Sequence, residues 1–90
     1  MNNLSKTLFD RNKNHSTKTA FVEEHKSITY GELEIYSRCI ASWMTTQQIN
    51  PGDRVAIIYY DKIDSVAVFL ATILIGAIPV LISPRGKHWY

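Results

Sequence analysis

Ninety residues with 46% apolar content limit the chain to at most one small domain, only marginally stable alone. Ten basic and eight acidic residues give a formal net charge of +2 with no basic stripe, which argues against nucleic acid as a partner. The single cysteine, Cys39, excludes an internal disulfide, and no apolar run of signal-peptide length follows Met1, so a reducing, cytoplasmic setting is expected.

Residues 1–17 form a polar N-terminal segment in which Leu4, Leu8 and Phe9 predict a short helix docked by its apolar side. Residues 12–19 read as loop. Residues 20–23 and 27–29 are short strand candidates separated by Glu24, His25 and Lys26, a small hairpin with Phe21 and Ile28 pointing inward. Thr29, Tyr30, Gly31 and Glu32 match a capping box, in which the threonine hydroxyl and the glutamate carboxylate each satisfy a backbone N–H of the first helical turn. A long amphipathic helix should follow. Leu33, Tyr36, Ile40, Trp43 and Met44 trace its apolar stripe, while Glu34, Ser37, Arg38 and Gln47 lie elsewhere, and the helix should end near Gln48.

Asn50, Pro51, Gly52 and Asp53 make a strong turn signal, with proline presetting φ at the second position and glycine supplying positive φ at the third. Residues 55–60 then suit a strand. Asp61 is a good N-cap, and Asp64 favours the positive end of the helix dipole. Val66, Phe69, Leu70, Ile73 and Leu74 recur at the spacing of a buried helix face, Gly76 is the expected C-terminal cap, and residues 78–82 form a second apolar run ended by Ser83 and Pro84. Neither run alternates with polar residues, so both strands should be covered on two faces, as in a parallel sheet. The fold class is therefore α/β: a small β-hairpin, a long helix, then a right-handed βαβ unit.

Residues 66–82 also invite a membrane reading, because Thr72 is the only polar side chain among them. A spanning helix wants about 20 apolar residues, and Gly76 and Pro79 divide the run into helix plus strand, so a soluble unit is favoured.

The chemistry-bearing side chains have plainer explanations. His15, His25 and His88 are far apart and match no zinc spacing, which fits solvated loop residues. Cys39 adjoins Arg38 but no lysine, and is expected to be an inert, buried thiol. Asp61 and Asp64 are explained by capping, without an acid–base pair. Tyr59 and Tyr60 end a strand at the edge where open α/β sheets bind ligands, and are expected to be structural. The following turn has no glycine-rich phosphate cradle, so the βαβ unit is not a nucleotide site in its own right.

Three stretches, taken together, resemble the AMP-forming adenylating enzymes. Ile28-Thr29-Tyr30-Gly31-Glu32-Leu33 resembles the first core motif of that family, Pro51-Gly52-Asp53-Arg54-Val55 its turn into a strand, and Leu74-Ile75-Gly76-Ala77-Ile78-Pro79-Val80 its second core motif. They stand in order and at family spacing between Lys18 and Pro84. Departures fall at Gln48, where glycine often precedes the turn, at Ile75 and Leu81, where alanine and proline are common, and at Ser83, where Asn or Asp is frequent. The Ala-Ile-Pro-Val form looks more like acyl- or aryl-CoA ligases than peptide-synthetase adenylation domains.

The resemblance implies a chain organised as a polar segment (1–17), the N-terminal piece of an adenylation domain (18–84) and a tail (85–90), within a larger doubly wound α/β domain. Such enzymes use ATP to convert a carboxylic acid to an acyl-adenylate and then to a thioester. ATP, Mg and CoA are implied for the full-length family. The family's phosphate loop, ribose-binding acidic residue and late lysine lie beyond residue 90. No catalytic, cofactor-binding or metal residue is therefore carried over, and this stretch alone is expected to be inactive. Its expected partner is the remainder of a ligase chain, with self-association through unpaired strand edges as a further expectation. The competing readings are a self-standing interaction module that kept the fold without the chemistry, and a membrane anchor through residues 66–82.

Overall fold

The computed structural model describes residues 3–58 and 62–82. The expectations for Tyr59, Tyr60, Asp61, Ser83, Pro84, His88 and the tail lie outside them. In chain order come α1 (Leu4–Arg11), a 3-10 turn (Lys13–His15), β1 (Thr19–Glu23), β2 (Lys26–Thr29), α2 (Tyr30–Thr46), β3 (Arg54–Ile58), α3 (Lys62–Leu74) and β4 (Ile78–Ile82). β1 and β2 pair antiparallel as the expected hairpin, with Phe21 opposite Ile28. β3 and β4 pair in parallel, from Arg54 opposite Ile78 to Ile58 opposite Ile82. The loop read over residues 12–19 is partly ordered, since it holds the 3-10 turn and Thr19 opens β1.

Local chemistry sets the element ends. At α2, Glu32 N–H donates to Thr29 Oγ1 at 3.1 Å and Thr29 N–H donates to Glu32 Oε1 at 2.9 Å, the reciprocal capping box. α1 is capped by Asn3, whose side-chain oxygen accepts from Ser5 N–H at 3.0 Å and Lys6 N–H at 3.3 Å. Both α2 and α3 close in paired backbone bonds of the Schellman type. Ile49 N–H donates to Met44 C=O and Gln48 N–H to Thr45 C=O; Ala77 N–H donates to Thr72 C=O and Gly76 N–H to Ile73 C=O. The residues in the left-handed position are Gln48 (φ 62°) and Gly76 (φ 79°).

α3 is the centre of the molecule and contacts α1, α2, β1, β3 and β4. One core cluster joins Phe9, Ile28, Leu33, Ile63, Ala67 and Leu70, and a second joins Ala41, Met44 and Ala71. The buried line of α3 therefore runs through Ile63, Ala67, Leu70 and Ala71, with Val66, Phe69 and Leu74 packed beside it. A helix surrounded on most sides has no single buried face for the apolar spacing to mark.

Three expectations are corrected. Tyr36 and Trp43 do not lie on the buried stripe of α2: they are 37% and 60% exposed, and the buried line is Leu33, Ser37, Ala41 and Met44. The partner helix supplies the reason. α3 presents Ala67, Ala71 and Thr72, and two helices faced with small side chains approach too closely to admit aromatic rings between them. Cys39 is exposed rather than buried, because it shares the outer side of α2 with Ile35 and Trp43. Nor, among the described residues, are the two parallel strands covered on both faces. Val55 and Ile57 turn toward α3, while Ile58, Ile78, Val80 and Ile82 on the opposite face are exposed, as is Leu81 beside Ile57.

Candidate functional site

The best-built junction joins the turn before β3 to the turn before β4. Asp53 N–H donates to Asn50 C=O at 3.0 Å, closing the Asn50–Asp53 turn with Gly52 at φ 87° as its spacing predicts. Gly52 N–H then donates to Gly76 C=O at 2.9 Å, and Ile78 N–H to Asp53 C=O at 2.7 Å. A Cβ on Gly76 would stand 3.4 Å from Pro51 Cβ. Each strand is thus fixed at its start by the other strand's turn, which sets the parallel register. A similar close approach fixes the start of α2: Gly31 N–H donates to Ser16 C=O at 2.9 Å, and a Cβ there would meet that oxygen at 3.0 Å.

The described side chains with chemical capacity lie apart from one another, and some of them are engaged with neighbours. Tyr36 Oη donates to Asp64 Oδ1 at 2.7 Å, tying α2 to the first turn of α3. That hydrogen bond, with smaller contributions from burial and the nearby negative charge, pushes the Tyr36 phenol above the ordinary tyrosine value. Arg38 pairs with Glu34 at 2.8 Å, and its guanidinium carbon lies 5.6 Å from the Phe9 ring centroid. His15 and His25 are exposed in the 3-10 turn and the hairpin loop, as their polar surroundings suggest. Ser37 Oγ is buried without a hydrogen-bond partner among the described residues.

Besides the Tyr36–Asp64 bond, sequence reasoning missed three long-range polar contacts. Glu23 Oε1 accepts from Ile63 N–H at 2.9 Å, so the hairpin caps the start of α3. Ser5 Oγ donates to Leu70 C=O at 2.8 Å, and Asn3 Nδ2 donates to Ile73 C=O. Asn3 as a helix cap was legible from its place before the Leu4–Arg11 helix; the distant partners were not.

An open groove of about 320 Å³ runs between α1, α2 and the end of α3, lined by Lys6, Arg38, Ala41, Ser42, Thr45, Leu74 and Ile75. Arg38 is turned to Glu34, and Thr45 Oγ1 donates to Ala41 C=O at 3.0 Å, so these groups do not converge on the groove. No three His, Cys, Asp or Glu side chains cluster to hold a metal among the described residues. Gly31 is occupied by a close contact with Ser16, and Gly52 and Gly76 by turn and cap geometry. The described residues thus do not assemble a cradle that fits ATP, Mg or CoA.

Residues 8–88 match the family model described as AMP-binding enzyme. The chain belongs to this family. It is 35% identical over 72 residues to the medium-chain fatty-acid–CoA ligase of Escherichia coli (strain K12), covering 79% of this chain and 13% of that protein. It is 36% identical over 67 residues to the benzoate–CoA ligase of Thauera aromatica, covering 73% of this chain and 13% of that one. Among solved structures, the benzoate CoA ligase of Burkholderia xenovorans LB400 superposes with a TM-score of 0.85 at 32% identity, over 90% of this chain and 17% of that one. The chain therefore spans about an eighth of the length of these two curated relatives.

The family match gives the local geometry a common sense. The stretch resembling the first core motif is the capping box of α2, and the other two stretches are the turns that meet at Pro51 and Gly76. The family likeness in this chain thus coincides with residues that fix element ends. The departure at Gln48 falls on the position whose φ of 62° favours glycine.

Proposed function

We propose that this chain is the N-terminal structural part of an ATP-dependent acid–CoA ligase and is catalytically silent by itself. The parent reaction would join a carboxylate to ATP as an acyl-adenylate and pass the acyl group to the CoA thiol. One observation carries the reading: the family-like stretches are spent on a helix cap and two interlocked turns, with no convergent set of polar groups among the described residues. ATP, Mg and CoA would be held by the rest of the enzyme. A cytoplasmic setting accords with the exposed Cys39 thiol, and no described helix is long and apolar enough to cross a membrane.

The test is equilibrium binding of ATP to the purified chain, with pyrophosphate release measured in the presence of medium-chain and aromatic carboxylates. Neither signal is expected. Saturable ATP binding at micromolar concentrations would overturn the assignment.

A further inference from the structure

The side of α2 turned away from α3 carries an uncharged stripe that no described residue covers. At about 100° per residue, Ile35, Tyr36, Cys39, Ser42, Trp43 and Thr46 share it, opposite the buried line of Leu33, Ser37, Ala41 and Met44. Ile35 and Trp43 are 67% and 60% exposed, and Cys39 between them is exposed too. Tryptophan is highly buried on average and enriched at interface centres, so an indole this exposed marks a contact surface. Charge borders the stripe without entering it. Arg38 pairs with Glu34 on one flank, Asp64 is held by Tyr36 on the other, and the Glu32 carboxylate is folded back into the capping box.

We infer that this stripe is the contact between two copies of the chain, laid antiparallel about a two-fold axis at Cys39. The spacing is self-complementary. Ile35 and Trp43 each stand four positions from Cys39, on one ridge of the helix surface. A two-fold axis at Cys39 sets Ile35 of each copy against Trp43 of the other, with the small thiol side chains at the crossing, where the backbones come closest. Charge sets the direction. Residues 39–48 carry no charge, whereas Glu32, Glu34 and Asp64 gather about the N-terminal half of α2. A parallel pair would bring these acids together; an antiparallel pair sets them beside the uncharged end and opposes the two helix dipoles. Size sets the kind of occupant. The stripe is one helix wide, so a single further helix fills it, and α2 of a second copy brings the matching pattern. From Ile35 to Thr46 it rises about 18 Å and is about 10 Å across, a footprint of roughly 180 Å². That is well below the about 800 Å² per partner of a standard interface, so the dimer is weak and reversible.

The test is sedimentation equilibrium of the purified chain up to about 1 mM, joined with cross-linking of Cys39 by a short bis-maleimide. A reversible dimer that cross-links through Cys39 is expected. Trp43→Lys should weaken it at least tenfold, and Ile35→Glu likewise, because each substitution enters the two-fold contact twice. Val22→Lys, at an exposed β1 residue, serves as control and should leave it within twofold. Mixing the Ile35→Glu and Trp43→Lys chains should give the mixed dimer at least threefold above the statistical proportion. There the introduced carboxylate and ammonium meet across the axis, while the other Ile35–Trp43 contact stays intact. Unchanged thermal midpoints, and unchanged labelling of Cys39 by a monofunctional maleimide, exclude misfolding of the variants. A chain that stays monomeric at about 1 mM overturns the inference and leaves the stripe to a different polypeptide. So does a dimer that survives both Trp43→Lys and Ile35→Glu, including one that Val80→Lys weakens instead, which would belong to the β3·β4 pair. A mixed dimer no commoner than chance overturns the antiparallel pairing, and the inference with it.

Discussion

Tyr36 illustrates how one residue off the main packing line couples two helices. Its ring lies at the margin of α2, too large for the narrow α2–α3 contact, yet its hydroxyl reaches Asp64 at 2.7 Å. The bond requires the phenol proton. Ionisation would remove the donor and place a second negative charge beside the carboxylate, so the folded-state pKa is raised by the hydrogen bond first, then by burial and charge repulsion. For a group whose pKa is raised on folding, the stabilising contribution is fully present below the unfolded value, about pH 10, and is lost as pH rises through the folded one. The urea midpoint of the unaltered chain should therefore fall more steeply above about pH 10 than that of Tyr36→Phe, with a constant difference between the two below about pH 9. The other tyrosines cancel in that comparison. Parallel profiles through pH 11 would mean that the bond contributes nothing in solution.

At the scale of the element, the two Schellman ends of α2 and α3 form a natural pair for comparison. Gly76 adopts its φ of 79° without strain, whereas Gln48 holds 62° with a Cβ in place. The left-handed conformation costs an ordinary residue about 1–2 kcal/mol, partly offset because glycine gives up more freedom on folding. Gln48→Gly is accordingly expected to stabilise the chain by about 0.5–1 kcal/mol, a rise in Tm of roughly 2–8 °C for a domain of this size. Gly76→Ala should destabilise it by at least about 1 kcal/mol, since the methyl would also stand 3.4 Å from Pro51 Cβ. Thermal unfolding followed by circular dichroism should rank Gln48→Gly above the unaltered chain and Gly76→Ala below it. A lower Tm for Gln48→Gly would show that its side chain makes a contact outweighing the strain.

Those ends also show what could be read from sequence. The capping box, the Pro51-Gly52 turn and the Gly76 cap depend on a few adjacent residues, and the structure has each in place. The inner face of α2 depends on the size of what it meets. Ser37 and Ala41 are buried because α3 brings Ala67 and Ala71 against them, and a hydropathy stripe that favours Tyr36 and Trp43 carries no information about that close approach. The uninterrupted apolar runs of β3 and β4 mark residues suited to two covered faces, while α3 supplies only one. Of the candidate site residues, Cys39 moves from expected core to surface, and His15 and His25 remain in exposed, separate loops.

For the whole molecule, the decisive contacts join parts distant in the chain. α1 lies against α3 through a side chain with no apolar character: Ser5 is fully buried, and its hydroxyl donates to Leu70 C=O across 65 positions. Asn3 both caps α1 and donates to Ile73 C=O near the end of α3. Phe9 completes the attachment by entering the core beside Leu33 and Leu70. Removing the Ser5 hydroxyl should cost about 1 kcal/mol, and Asn3→Ala about as much through the lost cap. Both substitutions act on one short helix of eight residues, too short to persist without docking. The double variant Asn3→Ala/Ser5→Ala should therefore release α1 before the rest unfolds. Amide hydrogen exchange is expected to lose protection throughout Leu4–Arg11 while Ala67 to Ala71 stay protected by the remaining core. If α1 and α3 instead lost protection together, α1 would be an integral part of the cooperative core, and any shortening of the N-terminal segment would unfold the whole piece.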